Sequence, residues 1–181
     1  MTDRKPRTSI AIRAMTPTDR PGVAAIDTSF ETSRVFDVAV TPRSIELVER
    51  VLAVPFVKRF PMEDVFAHWA TWDTGFVAVD DRIYGFAAVE HEAWHARLVL
   101  WHLYVAPERR RQGVARALLA RVERHGRERG ARRVWLETSS VNVPGIAAYA
   151  RLGYTVCGVD TTLYEATPAA AETAIYLSRP L

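Results

Sequence analysis

Apolar and polar positions along this chain change period several times, and the changes mark its elements. Ile10 and Ile12 alternate with polar neighbours over residues 8–13, which predicts a short strand. Thr16-Pro-Thr-Asp19 supplies a capping Thr, a Pro at the first helical position and an acid three residues after the cap, so a short helix follows through Val23, Ala24 and Ile26. Periodicity is poor over residues 29–61, where 35–40 reads as extended and 44–52 as helical, with no clear order between them. From Gly75 the pattern sharpens. Phe76-Val-Ala-Val79, an Asp80-Asp81 turn and Ile83-Tyr-Gly-Phe-Ala-Ala-Val89 predict a hairpin. Residues 98–105 form the next strand; without a bulge, Val99, Trp101, Leu103 and Val105 share one face and Leu100, His102 and Tyr104 the other.

Val114, Ala115, Leu118, Leu119 and Val122 then fall on one helical stripe that Gly130 stops. A strand over 133–138, a short helix from Pro144 ending at Gly153, and extended segments at 154–157 and 174–177 complete the chain. Strands and helices in this order predict a mixed α/β layered, α+β domain without internal repeats. At roughly 150 residues per domain, residues 1–181 form one domain.

Composition narrows the class. Half the residues are apolar (49%) and a quarter charged, as in ordinary globular chains. The single cysteine, Cys157, excludes internal disulfides and Cys-rich zinc sites, so no metal is expected. No apolar run approaches the ~18 residues of a membrane span, and the polar N-terminus does not resemble a secretory signal. The expectation is a soluble, cytoplasmic protein. Net charge is only +3, yet residues 108–133 hold ten Arg against three Glu, so the remainder is acidic. That asymmetry suggests an anionic ligand at the basic segment and a cationic second partner elsewhere. Nucleic acid is set aside, because neither a zinc-finger spacing nor an aromatic RNA-binding strand is present.

The basic segment contains the informative junction. Val105-Ala-Pro-Glu-Arg-Arg-Arg-Gln-Gly-Val-Ala115 runs from a strand through an Arg-rich turn into the amphipathic helix. A helix start offers unpaired amide protons and about half a positive charge, enough to hold phosphate oxygens by backbone alone. Neither a Walker loop nor a dinucleotide fingerprint fits. Arg110-Arg-Gln-Gly113-Val-Ala115 instead resembles the pyrophosphate-binding signature, Gln/Arg-x-x-Gly-x-Gly/Ala, of the GNAT N-acetyltransferase superfamily. A second element, Asn142-Val-Pro-Gly-Ile-Ala-Ala-Tyr149-Ala-Arg-Leu-Gly153-Tyr154, is similar to that superfamily's Asn, then Tyr seven residues on, then Gly and an aromatic. Gly145 stands where the family more often has Ala.

The resemblance implies a central, twisted, mostly antiparallel mixed sheet of six to seven strands with helices on both faces. It also implies acetyl-CoA lying where two strands splay apart. Gln112, Gly113, Val114 and Ala115 would supply phosphate amides, with Arg110 and Arg111 as nearby cations. The pantetheine would run along Leu103, Tyr104 and Val105, and an amide near Leu103 or Tyr104 would polarise the thioester carbonyl. Tyr149 would protonate the departing thiolate. Asn142 either caps the short helix or binds cofactor. The expected activity is acetyl transfer to a primary amine of a small cationic molecule, by direct attack in a ternary complex. A peptide or protein amine, and a catalytically idle acyl-CoA-binding module, are the alternatives.

An alkyl amine of pKa ~10.4 is mostly protonated at neutral pH, and freeing it costs roughly 4–5 kcal/mol. Glu137, His102, the Glu90 and Glu92 pair, or a water chain could serve as the base. Further segments, among them Ser29-Phe-Glu-Thr-Ser-Arg-Val-Phe-Asp-Val-Ala-Val-Thr41 and Cys157-Gly-Val-Asp-Thr-Thr-Leu-Tyr164, resemble the streptothricin (nourseothricin) acetyltransferases. Those enzymes acetylate an amine of a polycationic antibiotic. Their cofactor-adjacent strand carries acids, whereas Leu100-Trp-His-Leu-Tyr-Val105 carries none. Trp101 would then face the cation with its ring, and Asp37, Glu137 and Asp160 would attract it. The aromatic-rich segments leave a homodimer surface open.

Overall fold

The computed structural model describes residues 10–181. The chain runs β1 (Ala11–Ala14), α1 (Arg20–Ala24), β2 (Phe30–Thr41), β3 (Ser44–Lys58), β4 (Thr74–Val79), β5 (Ile83–Glu92), β6 (Arg97–Val105), α2 (Val114–Glu128), β7 (Arg133–Ser139), α3 (Val143–Arg151), β8 (Thr155–Asp160) and β9 (Ala174–Pro180). Seven strands form one sheet in the order β1-β4-β5-β6-β7-β9-β8, and β2 pairs with β3 in a separate ribbon. All pairs are antiparallel except β6 with β7. The mixed, mostly antiparallel sheet matches the expectation. Of the predicted first strand, Thr8 and Ser9 lie outside the described residues.

The central strands read as unbroken apolar runs because both their faces are covered. On β5, Ala87 and Val89 pack with Leu118, Leu119 and Val122 of α2 and Ile146 of α3. Phe86 and Ala88, pointing the other way, pack with Val23 of α1 and with Ile26, Met62 and Val65. Helices therefore cover both faces. Before α1, the predicted capping box forms: Asp19 accepts from the Thr16 amide at 2.8 Å and is clamped by Arg13 at 2.7 and 2.8 Å.

Two expectations need correction. Residues 44–52 are part of strand β3 and not a helix. Leu47 pairs with Val38 and Ile45 with Val40 across a tight turn, so the pairing with β2 overrides a helix-like spacing of apolar residues. The second correction concerns β6. His102 pairs with Ala88 but Leu100 with Val89, which leaves Trp101 as the extra residue of a β-bulge. The bulge exchanges faces: Leu98 and Leu100 before it, and Leu103 and Val105 after it, all join the α2 side, while Trp101 and Tyr104 turn to the α1 side.

One feature of this sheet positions the site. β6 and β7 pair only from Arg97 with Arg133 to Leu100 with Leu136. Beyond these residues the strands diverge, and from Trp101 onward the β7-facing edge of β6 has no strand partner among the described residues. α2 follows the end of β6 and α3 follows the end of β7, so both helix starts flank the opening.

Candidate active site

The turn between β6 and α2 is held by Arg110. Its guanidinium donates to the carbonyls of Val105 (Nε, 2.9 Å), Ser29 (Nη1, 2.7 Å) and Asp27 (Nη2, 3.4 Å), which tie three segments together. Burial lowers its pKa. The sequence pairs Arg110 with Arg111 as cations for a diphosphate; in the structure the Arg110 side chain serves the loop instead. Gln112 Nε2 donates to the Glu108 carbonyl at 2.7 Å, closing the same turn.

Gly113 caps α2 with φ +85°, a left-handed conformation that L side chains adopt only with strain. A Cβ built there meets nothing within 4 Å, so open space adjoins the helix start. Among the described residues no side chain caps the helix, and no acid sits in its first turn. The first intrahelical bond joins Ala117 N–H to the Gly113 carbonyl at 3.0 Å. The amides of Val114, Ala115 and Arg116 precede it and have no helical partner.

Tyr149 on α3 approaches the splay from the other side. Burial raises its pKa, and Tyr154, Tyr104 and Glu137 add to the shift, which brings α3, β6 and β7 into one electrostatic neighbourhood. Burial likewise raises the pKa of Tyr104. Asn142 takes the capping role: its Oδ1 accepts from Gly145 N–H at 3.1 Å and its Nδ2 donates to Thr138 Oγ1 at 2.9 Å. A Cβ on Gly145 would lie 2.4 Å from Asn142 Nδ2, so the glycine makes room for the cap.

The base candidates separate by environment. Glu137 lies where β7 leaves β6; burial pushes its pKa up, while a hydrogen bond from the Tyr164 hydroxyl opposes the shift. His102 stacks on Phe86 and Tyr104, and burial lowers its pKa to about 4. A group that weak is a poor base at neutral pH. Glu90 accepts from Trp101 Nε1 at 2.9 Å and from Thr71 at 2.6 Å, and Glu92 pairs with His95 at 3.0 Å.

Two predicted substrate acids are also engaged. Asp37 is clamped by Arg50 at 2.6 and 3.0 Å on the exposed β2–β3 ribbon. Asp160 accepts from Thr162 N–H, the Thr162 hydroxyl and Leu163 N–H, the arrangement of a turn acid. The sequence missed the partners around Glu137. Glu172 holds the Lys58 ammonium and the Ser139 hydroxyl and helps raise the Glu137 pKa, while Asp64 contributes to the field at Tyr104. No motif marks Glu172 or Lys58, which meet from 114 residues apart.

Acetyl-CoA fits this geometry. An uncapped helix start with open space above Gly113 suits its diphosphate, and the unpaired edge of β6 suits an extended pantetheine.

Comparison with known proteins agrees. Residues 45–154 match the acetyltransferase (GNAT) family. The chain is 40% identical to a streptothricin acetyltransferase of Streptomyces lavendulae over 176 residues, which is 93% of each chain. It is 28% identical to a streptothricin acetyltransferase of Escherichia coli over 81% of this chain and 83% of that one. Among solved structures, a nourseothricin acetyltransferase superposes with a TM-score of 0.87 at 39% identity, covering 96% of this chain and 99% of its own. A Bacillus anthracis protein solved with acetyl coenzyme A shares the fold, with a TM-score of 0.80 at 21% identity over 96% and 100% of the two chains. The chain belongs to the GNAT family and is an acetyl-CoA-dependent N-acetyltransferase.

Proposed function

We propose that this enzyme acetylates a primary amine of a cationic small molecule of the streptothricin class, by direct attack in a ternary complex. The observation that carries the reading is the gap where β6 and β7 part, with the strands bearing Tyr104 and Glu137 on its two sides and the helix bearing Tyr149 following β7. Identity of 40% along nearly the whole length with a streptothricin acetyltransferase supports the acceptor class.

Bound acetyl-CoA supplies an activated thioester. The amides of Gln112, Gly113, Val114 and Ala115 hold its diphosphate, with Arg111 as the adjacent cation. Leu103, Tyr104 and Val105 line the pantetheine, and an amide of β6 near Leu103 or Tyr104 stabilises negative charge on the carbonyl oxygen. Tyr149, kept protonated by burial, gives its proton to the departing thiolate. The Glu137 carboxylate takes a proton from the acceptor ammonium, directly or through water. Its raised pKa makes it a better base than a solvated carboxylate.

In place of the strand acids of the related enzymes, Glu137, Glu172 and Asp64 supply negative charge from β7, the approach to β9 and the segment after β3, with Lys58 offsetting part of it. The β2–β3 ribbon is pinned across the end of β7: the Phe36 amide donates to the Ser140 carbonyl at 2.9 Å, and Lys58 holds Glu172. That closure supports a small acceptor over a peptide laid beside Phe30 and Phe36. The free thiol of Cys157 and the need for acetyl-CoA both suit a reducing cytoplasm.

Thiol release from acetyl-CoA across streptothricin, lysine, polyamines, aminoglycosides and short peptides tests the reading. Streptothricin should give the highest kcat/KM, by at least about tenfold. A peptide as best acceptor would replace the acceptor assignment, and thiol release no faster with any amine than without would reject catalysis.

A further inference from the structure

On the sheet face turned away from α2 and α3 lies a depression of about 310 Å³ lined by Arg97, Arg133, Trp135, Cys157, Tyr176 and Ser178. The Trp135 and Tyr176 rings at its edge face one another, with centroids 4.9 Å apart at 32°. The Arg97 guanidinium stands 5.1 Å over the Trp135 ring, and Arg133 Nη2 donates to Ser178 Oγ at 3.2 Å. Among the described residues neither arginine takes part in an ion pair. Two guanidiniums without carboxylate partners and the Ser178 hydroxyl thus line one concavity.

The chemistry of that lining selects its ligand. Guanidinium forks match the paired oxygens of carboxylate or phosphate. The volume is at the low end of the ~300–1,000 Å³ typical of small-molecule sites, room for about one substituted ring. We propose that this depression binds a small organic anion carrying one carboxylate or phosphate group. Arg97 and Arg133 begin β6 and β7, at the opposite strand ends from the start of α2, so the site is separate from the acetyl-CoA cradle. Its positive charge repels a cationic acceptor, so it lies off that molecule's path. Trp135 nevertheless precedes Glu137 by two residues on the same strand face, which places a bound anion roughly 7 Å along the strand from the acceptor end.

Cys157 reports on the site directly. It is the extra residue where β8 and β9 slip register, Val156 facing Leu177 and Gly158 facing Tyr176, and it is exposed. It is also the chain's single thiol. Its thiolate attacks one sulfur of an aryl disulfide, which opens to release one aryl thiolate and leave the other aryl sulfur on the protein. The rate with anionic 5,5′-dithiobis(2-nitrobenzoate) is compared with that of neutral 2,2′-dithiodipyridine, a ratio insensitive to the thiol's own pKa. Arg97→Gln and Arg133→Gln together should lower the anionic-to-neutral rate ratio by at least about tenfold. In the unmodified protein, benzoate or phenyl phosphate should slow labelling saturably, and benzylamine should not. An unchanged ratio in the folded double variant, or protection that never saturates or is matched by benzylamine, would overturn the site. The protection arm needs no variant, and neither arm depends on acetyl transfer.

Discussion

The Tyr149 ring meets the Tyr154 ring edge to face, with centroids 5.5 Å apart at 63°. The Tyr154 amide also donates to the Tyr149 carbonyl at 3.0 Å, so the helix end and the start of β8 orient both rings together. Tyr149→Phe keeps this packing and removes only the hydroxyl. Turnover should fall at least about tenfold, the low side of a general acid's contribution, while the acetyl-CoA dissociation constant stays the same. Steady-state kinetics with calorimetric titration of coenzyme A checks both, and an unaltered turnover would remove the assigned role.

Glu137 should affect activity and stability with opposite sign. Its pKa is raised in the fold, so the folded state binds the proton more tightly than the unfolded chain. The stability this contributes is present below the unfolded pKa and lost as pH rises through the folded one. Activity needs the ionised form, so kcat/KM should rise with pH through the same raised pKa. Glu137→Gln should abolish that limb of the profile, lower kcat roughly 10²-fold, and leave a protein at least as stable at neutral pH. A variant retaining both the limb and the rate would show that another group is the base.

His102 gives the reverse linkage. Burial lowers its pKa from 6.5 to about 4, so the fold favours the neutral ring. Stability from this group is fully present above pH 6.5 and is lost as pH falls toward about 4. Denaturant titrations at stepped pH should show less acid loss over that window in His102→Gln than in the parent protein. Equal slopes would mean that the ring is solvated.

The ribbon closure rests on a partly buried ion pair, Lys58 with Glu172, whose side chains are 21% and 14% exposed. Lys58→Met leaves the carboxylate with only the Ser139 hydroxyl. The expected cost is about 2 kcal/mol, below the range for fully buried pairs, or a Tm lower by about 4–8 °C at this chain length. Adding Glu172→Gln should restore most of it; failure to do so would mean that packing, not charge, makes the contact.

These residues also show what could be read from sequence. The β4–β5 hairpin was legible from two unbroken apolar runs on either side of an Asp-Asp turn, and α2 from a helical stripe that is buried as its period predicts. The helix start at Gly113 and the cap at Asn142 were legible because local backbone geometry demands particular residues there. Residues 44–52 misled because an exposed two-stranded ribbon has no consistently buried face: Ile45, Val48 and Val51 recur every three residues yet lie on a strand. Trp101 concealed the face exchange in β6, since a bulge adds one residue without altering composition. Glu172 and Lys58 could not be found, because their pairing depends on where β3 ends and where the chain enters β9.

The central claim is that backbone amides at the start of α2 hold the diphosphate of acetyl-CoA. Amide resonances of ¹⁵N-labelled protein followed during titration with coenzyme A test it most directly. The account predicts the largest shifts at Gln112, Gly113, Val114 and Ala115, a second group at Leu103 and Tyr104, and little change at Asp37 and Arg50 on the ribbon. Saturation of the enzyme with the α2 amides unmoved, and the shifts gathered elsewhere, would contradict it.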